Sequence, residues 1–240
     1  MQIQIFGYSN IGTRQENQDC AKYGKWDSEG FYAILADGLG GHGGGRQAAQ
    51  LAVSTMLECA PIRCLPSREE ITGLVQKINR QILSQRVGPT DMKTTLVCLF
   101  VCGGRAVWVH IGDSRLYHYY DGFLAHYTLD HSVCQLSVRL GEITRHEIPG
   151  HPDRNRLLRV LGESNAEPDI FGPIVLEQGE HAFFLCSDGL WERLVEEEIM
   201  LDLQKSPSPQ HWIDCLRRRA EKRKYQDVDN NTAIAAMVKV

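Results

Sequence analysis

Apolar residues alternate with polar ones, or run as short blocks bounded by Gly, Asp and Asn, at 3–8, 31–36, 94–102, 106–111, 116–119, 123–127, 170–176, 181–186 and 232–238. Such stretches fit strands better than helices, and nine strands are predicted. Between the second and third the period changes. Residues 47–59 are rich in Ala and Leu, and within 68–86 Ile71, Leu74, Val75, Ile78 and Ile82 recur at helical spacing. Ser67 followed by Glu70 predicts a capping box for the second of these helices. Further helical segments follow Leu190 and occupy about 210–224, with Pro207 and Pro209 between them. Helices come in consecutive pairs, and later strands follow one another through short turns such as Asp121-Gly122, so regular βαβ alternation is excluded. The expected fold class is α+β, a central sandwich of two mainly antiparallel sheets flanked by helix pairs.

Composition narrows this picture. The 240 residues are 42% apolar and 23% charged, an ordinary globular balance. No repeat, low-complexity tract or long linker marks a boundary, so residues 1–240 are expected to form one domain. No run approaches the ~20 apolar residues that span a bilayer, and the initial MQIQIF lacks the basic and apolar regions of a signal peptide. A cytoplasmic protein without a membrane partner is expected. The formal charge of -4, from 26 Lys+Arg and 30 Asp+Glu, argues against a nucleic-acid partner. Eight cysteines occur without a C-x-x-C pair, and several sit in apolar runs such as LVCLFVC, so reduced thiols are expected in place of disulfides or a zinc site.

The most unusual segment is ADGLGGHGGG, residues 36–45. Gly38, Gly40 and Gly43 satisfy the dinucleotide-binding spacing G-x-G-x-x-G. Two features oppose that reading. The following helix leads to Pro61, Pro66 and another helix where a compact βαβ unit would need a strand, and Asp37 beside the first glycine would repel a diphosphate unless a cation stood between them. The alternative makes Asp37 a metal ligand, with glycines allowing close backbone approach. Taken singly, Asp-Gly is turn chemistry. The pattern recurs, however: Asp188 follows AFFLC, Asp113 follows AVWVHI, and Asp229 precedes the last strand. Four such carboxylates would repel one another if they converged, and all-oxygen ligation of Mg²⁺ or Mn²⁺ would relieve that repulsion.

With NIGTRQENQDC (10–20), GDSR (112–115), LDHS (129–132), CSDGLW (186–191) and DNNT (229–232) added, six ordered motifs resemble the metal-dependent protein serine/threonine phosphatases of the 2C (PPM) type, in their short bacterial form. The resemblance covers essentially the whole chain. It implies layers in the order α-β-β-α and two core Mn²⁺ or Mg²⁺ ions in a cleft at one edge of the sheets. In that pattern Asp37 bridges both ions, the Gly38 carbonyl is a further ligand, and Asp188 and Asp229 bind one of the pair. Asp19 holds metal-bound water, Asp113 and Asp188 form a third, weaker site, and Arg14 grips the substrate phosphate. A hydroxide between two cations is a nucleophile at neutral pH, and a bidentate arginine suits a phosphate. Phosphorylated proteins are the implied substrates and a Ser/Thr kinase the implied counterpart. The contrasting expectation is a catalytically silent regulatory or binding module; the complete set of core aspartates argues against it.

Two positions depart from the pattern. Leu39 stands where many eukaryotic relatives carry a proton-donating histidine, which leaves His42 or a metal-bound water as the candidate general acid; Arg46 replaces a common glutamate. Asp130-His131-Ser132 cannot be a triad, because consecutive side chains do not converge, and a capping role is expected for the Asp and Ser. His146-Glu147 with His151 misses the zinc-protease spacing. The Arg- and His-bearing segment at about 133–162 matches the family's flap, read either as a solvated basic loop or as a substrate-docking element. The run of Arg217 to Arg219 with Lys222 to Lys224 is read as a solvated helix face, with a docking site for an acidic partner as the alternative. If the five aspartates converge, two divalent cations bring the formal charge from -4 to 0.

Overall fold

In chain order the computed structural model has β1 (Gln2–Asn10), β2 (Asp19–Lys25), β3 (Gly30–Leu39), α1 (Gly44–Cys59), α2 (Arg68–Gln85), β4 (Lys93–Thr94), β5 (Leu96–Cys102), β6 (Arg105–Ile111), β7 (Arg115–Tyr120) and β8 (Phe123–Tyr127). There follow α3 (Val133–Leu140), a 3₁₀ turn (Arg145–Gly150), β9 (Asp169–Val175), β10 (Glu180–Cys186), α4 (Asp188–Trp191), α5 (Glu196–Gln204), α6 (Pro209–Lys222) and β11 (Asn231–Lys239). Residues 1–40, 43–59, 65–86, 92–223 and 227–240 are described.

One sheet has the order β1-β11-β10-β7-β8, the other β2-β3-β5-β6-β9, with β4 added against the end of β3. Every ladder among the described residues is antiparallel.

The near-continuous apolar runs follow from strands that are buried on both faces. On β3, Phe31, Ala33 and Leu35 point into the space between the sheets, where they meet Val97, Leu99, Phe183, Leu185 and Ile234. The intervening Ile34 and Ala36 point outward and are covered by Ala48, Ala52 and Met56 of α1 and Ile71, Val75 and Ile78 of α2. The other sheet turns Tyr119, Phe184 and Ala235 to Ile199 of α5 and Trp212, Ile213 and Leu216 of α6. Three apolar layers between four structural layers result, as expected. The capping box is formed: Glu70 N donates to Ser67 Oγ at 3.2 Å and Ser67 N donates to Glu70 Oε2 at 2.7 Å.

Two elements lack a predictive signal. β2 is an edge strand whose residues are all partly or fully exposed, so its sequence DCAKYGK carries no apolar alternation. α3 leaves Leu136 and Leu140 exposed and so shows no full buried stripe. Its ends are nonetheless encoded, by Ser132 Oγ accepting from Gln135 N (3.1 Å) and by Gly141 at φ 75°.

Among the described residues six cysteines are free, of which Cys98, Cys134 and Cys186 are buried; Cys64 lies outside them. Among the described residues no helix is long and apolar enough to cross a membrane.

Phe183 is fully buried at the join of the two sheets, 6.4 Å edge-on from Phe31. Phe183→Ala is expected to cost about 3–5 kcal/mol, measured by urea unfolding with an unchanged m-value.

Candidate active site

Strand pairing brings the acidic residues to one end of the sandwich. In the first sheet Cys186 of β10 pairs with both Ala233 of β11 and Arg115 of β7, so Asp188, Asp229 and Asp113 lie just beyond the same sheet end. In the second, Leu96 of β5 pairs with Ile111 of β6, and β3 runs antiparallel to β5, which places Asp37 at that end too. Asp19 opens β2 directly opposite Asp37. The turn from β6 to β7, Gly112 to Ser114, crosses between the sheets and closes the cluster. Arg14, Asp37, Gly38, Leu39, Asp113, Asp188 and Asp229 all line one cleft of about 430 Å³, with Asn155 and Leu157 of the 133–162 segment on its rim. Asp19 is not among the lining residues. His42 lies outside the described residues.

Burial is the leading cause that raises the carboxyl pKa of Asp37 and Asp113 well above the usual range, and like charge adds to it: Asp19, Asp188 and Asp113 act on Asp37, and Asp188 and Asp130 on Asp113. Asp188 is raised by burial and by Asp229. Asp19 is pushed up to about 7 by burial, against the hydrogen bonds from Thr232 and Ser187 that hold its ionised form. Ser187 Oγ donates to Asp19 Oδ2 at 2.8 Å, while Asp19 Oδ1 is buried without a hydrogen-bond partner.

An orphaned carboxylate oxygen beside an all-oxygen set of repelling acids fits a hard divalent cation and its water. Among the described residues no three His, Cys, Asp or Glu side chains are drawn together closely enough to hold an ion by themselves. Asp229 instead takes both prongs of Arg14, Nε at 3.0 Å and an η-nitrogen at 2.8 Å, and this pairing raises the Arg14 pKa further. Asp227 stands 3.4 Å from the same guanidinium.

A scaffold without charge at its centre positions these groups, and the sequence reading missed it. Asp37 N donates to Thr95 Oγ1 (2.9 Å), Thr95 N donates back to the Asp37 carbonyl (2.9 Å), and Thr95 Oγ1 lies 2.7 Å from Ser114 Oγ, next to Asp113. Trp191 Nε1 donates to the Asp113 carbonyl at 3.0 Å. Arg115 lies 3.5 Å over the Trp191 ring and grips Asp130 through two bonds of 2.8 and 2.7 Å. Asp130 is thus a buried ion-pair partner and not the cap expected of it, whereas Ser132 is a cap. Gly112 N donates to His131 Nδ1 at 3.1 Å. Gly38 is required because a Cβ there would fall on the Gly45 carbonyl, and Gly189 because one would fall on that of Asn230. A hydroxyl pair formed between a strand junction and a turn has no sequence period, so Thr95 and Ser114 leave no sign of their pairing in the sequence.

The basic segments read differently in three dimensions. Arg154 donates to Glu192 at 3.0 Å, Arg145 reaches Glu196 at 2.5 Å, Arg156 reaches Asp153 at 3.1 Å and Arg159 reaches Asp169 at 3.0 Å. Much of the 133–162 segment is therefore charge-matched locally rather than presented as an open basic loop. Burial beside Asp188 pushes Glu192 up to about 7, against the pull of Arg154. Arg219 takes Asp202 (2.6 and 2.8 Å) and Glu198, and Arg223 takes Glu198, so α6 is tied to α5 where a solvated face was expected. Arg46 faces Glu16 at 3.2 Å.

The family described as protein phosphatase 2C matches residues 6–231. The serine/threonine phosphatase stp of Listeria welshimeri is 37% identical over 210 residues, 84% of this chain and 82% of that protein. Among solved structures, the serine/threonine phosphatase of S. agalactiae superimposes with a TM-score of 0.84 at 28% identity, covering 99% of this chain and all of that one. The catalytic domain of the phosphatase PstP, in complex with two manganese ions, gives 0.82 at 28% identity over 99% of each chain.

A carboxyl whose folded pKa is raised binds more protons in the folded than in the unfolded state, so it weakens the fold as pH rises above the unfolded value near 4, fully so above the folded value. For Asp19 that window runs from about 4 to about 7. In chelator, the melting temperature is expected to fall more from pH 5 to pH 8 in the parent than in Asp19→Asn. Scanning calorimetry of both checks this; a parent curve no steeper than the variant's would contradict it.

Proposed function

The chain belongs to the protein phosphatase 2C family and is a protein serine/threonine phosphatase, and we propose that a divalent metal pair held by its aspartates carries the reaction. The observation that supports this most is the gathering of the buried Asp37 and Asp113 and the partly buried Asp188 at one sheet end, where their ionised forms oppose one another and a divalent cation would answer them together. In this proposal Asp37 would serve both ions, the Gly38 carbonyl would add a further ligand, Asp188 and Asp229 would hold one of the pair, and Asp113 with Asp188 would offer a third position. Mn²⁺ and Mg²⁺ both suit the oxygen set. When bound, such ions activate water at neutral pH and neutralise the phosphoryl oxygens during in-line displacement.

The chain's own residues do the rest. Asp19, with one oxygen fixed by Ser187 and the other unpartnered, is placed to orient water. Arg14 presents at the cleft mouth the two-pronged geometry that a phosphoryl group requires, shown here by its grip on the Asp229 carboxylate. Leu39 has no proton to give, and His42 is the proposed donor to the leaving oxygen. Residues 133–162 would act as the flap: Asn155 and Leu157 touch the cleft, and the Arg154–Glu192 pair anchors that rim to α4. Substrates are phosphorylated proteins, a cognate Ser/Thr kinase would supply them, and a cytoplasmic setting suits both. The complete aspartate set argues against a silent module.

Hydrolysis of p-nitrophenyl phosphate and of a phosphothreonine peptide is expected with Mn²⁺ and not with chelator. Asp37→Asn is expected to lower kcat by about 10²-fold or more. Arg14→Lys, which keeps charge but loses the fork, is expected to weaken kcat/KM by about tenfold or more. Turnover of the parent in chelator would overturn the metal-based proposal.

A further inference from the structure

The turn that presents Asp113 to the cleft is held by Thr95 at Ser114 and by Trp191 at the Asp113 carbonyl. Its leading residue, Gly112, is held by His131. His131 N donates to the Gly112 carbonyl at 2.8 Å, and Gly112 N donates to His131 Nδ1 at 3.1 Å. These two bonds fix both peptide planes that flank the Gly112 Cα, and the second plane carries the nitrogen of Asp113. Gly112 sits at φ 107°, where the backbone favours glycine, and a Cβ there would stand 2.6 Å from Thr95 Cγ2. Thr95 thus closes one side of the residue and His131 grasps it from another.

The His131 ring is itself fixed. Its side chain is only 2% exposed, and Nε2 stands 3.1 Å from Asp169 Oδ2. The His110 ring lies 4.6 Å away, centroid to centroid, and Arg159 donates to the other oxygen of Asp169 at 3.0 Å. Because Nδ1 accepts from Gly112, the ring proton belongs on Nε2, facing the carboxylate. The main chain of the same residue reaches the rim of the cleft: Leu158 N donates to the His131 carbonyl at 2.7 Å, next to Leu157.

We propose that His131 is a positioning residue for the phosphatase reaction: by grasping Gly112 through its main-chain N–H and through Nδ1, it sets where Asp113 stands in the cleft. The inference rests on the proposed role of Asp113 as a cation ligand. His131 is not among the residues that line the cleft, so it acts through the Gly112–Asp113 turn and not on the substrate. The Nδ1 acceptor is the part of the side chain that the turn requires, and Asp169 keeps the ring oriented.

The bond can be read in the metal-free protein before any turnover is measured. In nitrogen-15-labelled parent, a nitrogen–nitrogen coupling across the hydrogen bond from Gly112 N to His131 Nδ1 is expected; its absence would overturn the proposal without any substitution. His131→Asn places an amide oxygen near the position of Nδ1, whereas His131→Gln carries its amide further out and leaves Gly112 N without an acceptor. Amide exchange at Gly112, compared with that at Val109 to remove changes in global stability, is expected to quicken by about tenfold in His131→Gln and to be largely recovered in His131→Asn. With Mn²⁺ and p-nitrophenyl phosphate, kcat is expected to fall by about tenfold in His131→Gln at little-changed KM, and to recover in His131→Asn. In an Asp113→Asn background the same Gln substitution should change kcat by less than about twofold, because the turn then carries no ligand to position. Equal kcat loss in both backgrounds, equal loss in His131→Asn and His131→Gln, or no loss in either, would overturn the positioning role. Unchanged turnover in Asp113→Asn alone would instead overturn the cation reading of Asp113, a result that the metal-free coupling and exchange distinguish from a failed grasp on Gly112.

Discussion

The constraint on which this structure turns is electrostatic. Asp37 and Asp113 are almost wholly withdrawn from water, Asp19 and Asp188 partly so, and all four stand within reach of one another's charge, with Asp229 at the edge. Ionising such a set without compensation costs more than a domain's usual margin of stability allows. The fold tolerates them because the rest of the sandwich is apolar and firmly packed, and because protonation or cation binding can discharge them. Arg14 answers only Asp229, from the mouth of the cleft. The site is therefore a place where stability has been yielded to electrostatic readiness, as pre-organised catalytic centres require.

Rigidity around the acids comes from a neutral frame. The Thr95–Ser114 hydroxyl pair joins the Asp37 backbone to the Asp113 turn, and Trp191 holds the Asp113 carbonyl. The Arg115–Asp130 ion pair, stacked on the Trp191 ring, braces this frame from outside the cleft. These contacts lie in or beside the buried ends of strands, so the carboxylates inherit the stiffness of the sheets instead of the mobility of loops. The local pairing of Arg145, Arg154, Arg156 and Arg159 similarly gives the 133–162 segment defined attachments beside the cleft.

The sequence was readable where a single residue type carries its own consequence. Strands buried on both faces announce themselves as apolar blocks, and all nine expected strands and the capping box at Ser67 are present. Asp37, Asp113, Asp188 and Asp229 were visible as acids at strand ends, and their convergence follows from antiparallel registers that a linear reading cannot supply. Asp19 came from resemblance alone, since β2 is an exposed edge strand without period. What stayed hidden was pairwise. Arg115 with Asp130 reads as two ordinary charges fifteen positions apart, Thr95 with Ser114 as two unremarkable hydroxyls, and the α5–α6 arginines as a solvated face until Asp202 and Glu198 are folded against them. A contact between distant residues has no signature in either one.

The central claim is that the buried acids form one cation site whose protons and metals exclude each other. Calorimetric titration of the metal-free protein with Mn²⁺ at pH 6.5, repeated in buffers of different ionisation enthalpy, measures both the ions taken up and the protons released. The account predicts saturable uptake of at least two ions accompanied by net proton release, with both diminished in Asp37→Asn. Uptake without proton release, or a titration that Asp37→Asn leaves unchanged, would contradict it.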